Sequence, residues 1–133
     1  MTPEEMKQRT KQFALRVLKL CDALPRTIAC EAIARQLVRS GTSVPANYRA
    51  SCRARSAADF VAKLGIVEEE TDECSLWFEL LVESGRVKRA ILAPLMKEAS
   101  EILAIVVASI NTARGGSRSR SAGRVPSPPA KAN

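Results

Sequence analysis

Gln36-Leu37-Val38-Arg39-Ser40-Gly41-Thr42-Ser43-Val44-Pro45-Ala46-Asn47-Tyr48-Arg49-Ala50-Ser51-Cys52-Arg53-Ala54-Arg55-Ser56 mixes core-forming and polar residues on one helical stripe. Cys30, Ile33, Leu37, Ser40, Val44, Asn47 and Ser51 recur at alternating spacings of three and four, which places them on one face of a helix starting near Thr27. A helix that spends Ser40, Asn47 and Ser51 on its apolar face gives up burial. Those groups must therefore satisfy one another inside a bundle or face something polar. Pro45 has no N–H to offer the Gly41 carbonyl and its ring crowds that turn, so a kink or break is expected between Gly41 and Pro45. A kinked, continuous helix is the reading adopted.

The flanking segments repeat the pattern. Thr2, Pro3 and Glu5 form a capping box that opens a first helix, whose stripe is Met6, Thr10, Phe13, Val17, Leu20 and Leu24. Ser56 and Asp59 form a second box, opening a third helix with the unbroken stripe Phe60, Leu64, Val67, Thr71, Cys74, Phe78 and Leu81; Gly85 is placed to end it. A fourth helix is expected from Lys88 or Ala93 to Thr112, with Pro94 in or near its first turn and a stripe of Leu92, Met96, Ala99, Leu103, Val106 and Ile110. Leu95, Ile102, Ile105 and Val107 widen that apolar surface. Either Leu95, Ile102 and Ile105 form a subunit contact, or this helix is simply the most buried of the four.

The predicted fold is all-α: an up-and-down four-helix bundle over residues 1–113, followed by a disordered basic tail over 114–133. Only 4% of the 133 residues are aromatic, and β-branched runs are lacking. The tail has no apolar periodicity and carries Arg114, Arg118, Arg120, Arg124 and Lys131 with no acid. Setting those five charges aside reduces the net charge from +7 to +2. The longest aliphatic run, Ile102 to Ile110, is about half of what a membrane span requires, and the polar N-terminus does not read as a signal peptide. Cys21, Cys30, Cys52 and Cys74 are widely spaced without a C-x-x-C pair, which favours buried thiols over disulfides or metal ligands and a cytoplasmic setting.

Catalytic chemistry finds little purchase. Glu68, Glu69, Glu70, Asp72, Glu73 and Glu79 crowd the third helix, yet the chain has no histidine to complete a di-iron site or to activate a serine or cysteine. No Gly-rich phosphate loop opens a helix, and no cofactor is implied. The preferred reading pairs Glu70 and Glu73 with Arg39, Arg49 or Arg53 of the second helix, with Ser40, Ser43 and Asn47 as hydrogen-bonding neighbours of that polar network.

Taken in order, the Leu24-Pro25 helix end, Gln36-Leu37-x-Arg39-Ser40-x-x-Ser43-Val44-Pro45-Ala46-Asn47, Ser56-x-x-Asp59-Phe60, and Glu69-Glu70-x-Asp72-Glu73-x-x-x-Trp77-Phe78-x-Leu80-Leu81 resemble the 23S ribosomal RNA intervening-sequence proteins. These are bundles related to the accessory variability proteins of diversity-generating retroelements. The resemblance spans most of residues 10–110. It implies a ring-shaped homopentamer without known catalysis and with a role in binding nucleic acid. After Asn47 this chain has Tyr48-Arg49-Ala50-Ser51 where many relatives continue Ile-Ala-Glu-Gly, which lengthens the second helix and makes the region more basic.

Arg49, Arg53, Arg55 and Lys63, with Arg114, Arg118, Arg120 and Arg124, could neutralise phosphates of RNA or DNA. With Tyr48 the single tyrosine and Trp77 near the core, base stacking would add little, so such binding would be electrostatic and salt-sensitive. The alternative partner is a protein, such as a reverse transcriptase or a ribosomal component, with nucleic acid reached indirectly. Cys52, near the expected kink, is the cysteine whose exposure decides whether it can react.

Overall fold

A computed structural model describes the backbone of residues 1–118 and the side chains of residues 1–115. Four α-helices follow in chain order: α1 (Pro3–Ala23), α2 (Ile28–Cys52), α3 (Ala57–Glu83) and α4 (Arg89–Arg118). Each packs on its sequence neighbour and α4 returns to touch α1, the sparsest of the four seams. Short connections make neighbouring helices antiparallel, giving an up-and-down bundle with α1 and α3 at opposite corners.

The helix starts follow from their caps. Thr2 Oγ1 accepts from the Glu5 amide at 3.1 Å while the Glu5 carboxylate accepts from the Thr2 amide at 2.9 Å. Thr27 accepts from Cys30 and Ser56 from Asp59 in the same way. α3 ends in a Schellman turn: Gly85, at φ 78°, donates to Val82 and Arg86 donates to Leu81, both at 3.0 Å.

All seven expected stripe residues of α3 are buried. At the bundle centre the Phe13 and Phe78 rings meet edge to face, 6.4 Å apart and inclined by 75°. α2 runs unbroken past Pro45. Its stripe buries Ser40 and Ser51 completely but leaves Asn47 half-buried, with Tyr48 turned to the core instead.

Gly41 explains how α1 and α2 come together. A β-carbon there would lie 2.8 Å from Val17 Cγ1 and 3.1 Å from Val17 Cβ. Val17 is fully buried and stiff about χ1, so it has no room to yield. Gly41→Ala should therefore cost a net ~1–2 kcal/mol in a denaturant titration, overpacking outweighing alanine's better helix propensity. An equally or more stable variant would show that the two helices can separate without loss.

α4 departs from the sequence reading in register and length. Leu92, Leu95, Ala99, Ile102, Val106, Ile110 and Ala113 are buried, whereas Met96 and Leu103 are half-buried. Apolar residues occupy most positions between Leu92 and Ile110, so two stripes that differ at 95/96 and 102/103 both fit the sequence, and packing selects the one through Leu95 and Ile102. Leu95 and Ile102 are thus core residues rather than subunit contacts; of the three positions assigned to that contact, Ile105 alone is half-exposed. Of the two expected starts the structure takes the one near Lys88, beginning at Arg89, so Pro94 sits in the second turn, and the helix continues through Arg114 to Arg118 rather than stopping at Thr112. Extension costs little once a helix is nucleated, and Ala113, 2% exposed, holds this end against the bundle. The tail positions Arg120, Arg124 and Lys131 lie outside the described residues.

Candidate nucleic-acid interface

One end of the bundle gathers the C-terminus of α2, the turn into α3 and the far part of α4. Arg49 lies in the last turn of α2, where a cation meets the negative end of the helix dipole, and Arg53 is the C-cap. Ala54, 4% exposed, pins the connecting turn to the core, which turns its neighbours Arg53 and Arg55 outward. Ala113 and Arg114 of α4 share a shallow cleft of about 280 Å³ with Ala57, Ala58 and Val61 at the start of α3. Arg49, Arg53, Arg55 and Arg114 are all exposed, and none forms a salt bridge among the described residues.

Lys63 differs from these arginines. Its ammonium meets Asp59 Oδ1 at 3.1 Å, and the Arg55 amide donates to Asp59 Oδ2 at 3.3 Å. Lys63 first and that amide second hold the Asp59 carboxyl below the usual carboxylate range. The nearby acids are therefore engaged locally: Asp59 with Lys63, and Glu5 in the α1 cap. Glu4 lies 3.9 Å from Lys7. The four arginines retain a net positive field at this end. Arg118 continues the helix from Arg114.

The polar network sits on the α2–α3 seam, farther from the basic end. Arg39 donates to both Glu70 oxygens at 3.3 and 3.2 Å and to Glu73 Oε2 at 2.5 Å, and Trp77 Nε1 donates to the same Glu73 oxygen at 3.1 Å. The Arg39 guanidinium is the main reason the Glu73 carboxyl lies below its usual range. Arg49 and Arg53 take no part. Nor do Ser43 and Asn47, which bond to carbonyls of their own helix, Ser43 to Arg39 and Asn47 to Ser43. Ser40 donates to the Gln36 carbonyl and accepts from the Cys74 thiol at 3.3 Å. Local carbonyls one turn back are always within reach of such side chains, which is why the polar half of the α2 stripe needs no ligand. Among the described residues no buried side-chain nitrogen or oxygen lacks a partner.

A second ion cluster gave no signal in the sequence. Arg9 grips Glu98 with two parallel bonds of 2.6 and 3.0 Å and reaches Glu101 at 2.5 Å, clasping the sparse α1–α4 seam. Arg9 lies outside the α1 stripe and about ninety positions from its partners, so no spacing rule connects them. This clasp lowers the Glu98 carboxyl below the usual 4.5. A carboxyl depressed by folding stabilises above its unfolded value, and that contribution is lost as pH falls through the folded value. Arg9→Met should therefore cost about 1 kcal/mol near neutral pH, the upper end for partly exposed pairs. The difference from wild type should shrink as pH drops below 4.5. A constant difference across that window would assign the loss to packing of the arginine stem.

The four cysteines are free thiols. Burial pushes Cys21 and Cys74 up to about 11, which removes them from thiolate chemistry at neutral pH. Cys52 is half-buried on the last turn of α2. Among the described residues there is no group of three or more histidine, cysteine or acidic side chains arranged to hold a metal ion, and no helix is long and apolar enough to cross a membrane.

Fold and surface together define an all-helical up-and-down bundle with a cationic end. The sequence profile of the 23S rRNA-intervening sequence protein family matches residues 4–108, and the chain belongs to that family. It is similar to a crystal structure from Bacteroides thetaiotaomicron described as a protein of unknown function from the S23 ribosomal protein family. The two share 30% identity and a TM-score of 0.76, over 84% of this chain and 100% of the other. No curated protein matches the chain.

Proposed function

We propose that the protein is a non-enzymatic, homo-oligomeric scaffold that holds RNA through the phosphates at its cationic end. The observation that carries this reading is the set of exposed arginines Arg49, Arg53, Arg55 and Arg114, drawn from two helices and a turn to one end and left without acidic partners among the described residues. Arginine forks suit phosphate oxygens, and an end without exposed aromatic rings contributes charge rather than base selection. Arg118, Arg120 and Arg124 add to the same cationic run in sequence. Membership of a family named for an rRNA intervening sequence supports RNA as the nucleic acid, the resemblance noted in the sequence supports assembly as a pentamer, and the four free cysteines support a cytoplasmic setting.

Labelled RNA titrated at about 50 and 200 mM salt tests this. Four phosphate contacts predict a loss of affinity of roughly 50-fold on single strands and 150-fold on duplex across that interval. Absent or salt-independent binding would overturn the reading and leave a protein partner as the route to RNA.

A further inference from the structure

Charge is divided between opposite corners of this bundle. In α1, residues 7–19 contain Lys7, Arg9, Lys11, Arg16 and Lys19 and no acid. Arg9 is spent on α4 and Arg16 lines the same cleft beside Glu98, but Lys11 and Lys19 are exposed one turn either side of Leu15, which is 50% exposed. In α3 the balance is reversed: Asp59, Glu68, Glu69, Glu70, Asp72, Glu73, Glu79 and Glu83 against Lys63 alone. Asp59 is neutralised by Lys63 and the Glu70–Glu73 pair by Arg39, while Glu68, Glu69, Asp72, Glu79 and Glu83 have no salt bridge among the described residues.

The outer side of α3 also carries a second stripe. Ile66, Glu69, Glu73, Leu76, Leu80 and Glu83 follow one another at spacings of 3, 4, 3, 4 and 3 on the side away from the buried stripe, with Glu73 at its α2 edge already held by Arg39. Leu76 is 47%, Leu80 41% and Ile66 37% exposed. An apolar and acidic seam with heptad spacing is the surface a further helix covers, with apolar side chains against the leucines and cations against the carboxylates.

We infer that the occupant is α1 of a second copy: Leu15 packs along Leu76 and Leu80 while Lys11 and Lys19 meet the free carboxylates of α3. The inference rests on the homo-oligomeric reading above and names its interface. α1 and α3 stand at opposite corners, so each copy offers one face on one side and its complement on the other. Such a heterologous contact generates a ring when its rotation closes. The buried Leu95 and Ile102 of α4 are unavailable for this purpose. The basic end remains outside the seam, which keeps RNA contact and assembly on separate surfaces.

Light scattering on the full chain tests it with three variants. Wild type should run at a multiple of the single-chain 14.4 kDa. Lys11→Glu with Lys19→Glu, or Glu69→Lys with Glu83→Lys, should each reduce the mass toward one chain at unchanged helicity, and the variant carrying all four changes should regain the assembly. Leu76→Ala with Leu80→Ala should also dissociate it, and this variant serves if a charge reversal perturbs folding. A wild-type protein at single-chain mass would remove the oligomeric reading itself. An assembled wild type whose mass none of the reversals alters, or reversals that the fourfold change does not rescue, would overturn this interface alone.

Discussion

Phe78→Ala should lower the unfolding free energy by about 3–5 kcal/mol, the largest loss expected of any single substitution in this bundle. Phe78 is fully buried, and its ring stands edge-on to Phe13, which is 1% exposed. Those two rings meet across the diagonal between α1 and α3, whose backbones do not adjoin. Truncation removes apolar contact and the ring pair, and leaves a void where four helices converge. Neighbouring side chains cannot collapse into it without moving helices fixed by their other contacts. Against a total of about 5–15 kcal/mol, such a loss is a large share of the stability. Trp77, held by Glu73 on the adjoining turn, supplies the fluorescence signal for the denaturant titration. A loss below about 1 kcal/mol would mean that the centre of the bundle is loosely packed.

The second large effect concerns RNA. Replacing Arg49, Arg53 and Arg55 together by alanine should flatten the salt dependence to about a quarter of its wild-type slope if the four described arginines carry binding, since Arg114 alone remains. At low salt the affinity should fall more than at high salt, because each lost contact also forfeits the counterions it released. Stability should change little. The three side chains are exposed and bonded to no other described side chain, and arginine-to-alanine changes preserve helix propensity. A wild-type salt slope in this variant would place RNA elsewhere on the chain.

Much of the architecture was legible because helical periodicity is a direct imprint of burial. The α3 stripe from Phe60 to Leu81 alternates without interruption, and its seven positions are the seven that packing buries. The Thr2 and Ser56 caps were equally readable, since a side-chain oxygen before an apolar run has few other uses. Register in α4 was not. When Leu92 to Ile110 are mostly apolar, neighbouring phases are degenerate, and the partners decide between them. The α4 end was missed for a related reason: Gly115 and Gly116 signal termination locally, whereas the helix is carried past them by packing at Ala113.

Sites were legible in proportion to how local their physics is. Helix pairing offered Arg39, Arg49 or Arg53 as partners of Glu70 and Glu73, and the structure joins Arg39 to both. The same reading counted Ser40, Ser43 and Asn47 as members of a network, because spacing reports the face a residue occupies and not whether its own helix satisfies it. The Arg9 clasp on Glu98 and Glu101 depends on how the first and last helices meet, which no window of the sequence contains. Arg49, Arg53 and Arg55 were visible as a basic run, but Arg114 joins them only because α4 continues as helix beside the start of α3.

Arginine footprinting with phenylglyoxal, read by mass spectrometry with and without bound RNA, tests the cationic end most directly. Arg49, Arg53, Arg55 and Arg114 should be protected by RNA, while Arg26 and Arg35, exposed near the opposite end, should react equally in both states. Uniform reactivity across all six, or protection confined to Arg26 and Arg35, would contradict phosphate binding at that end.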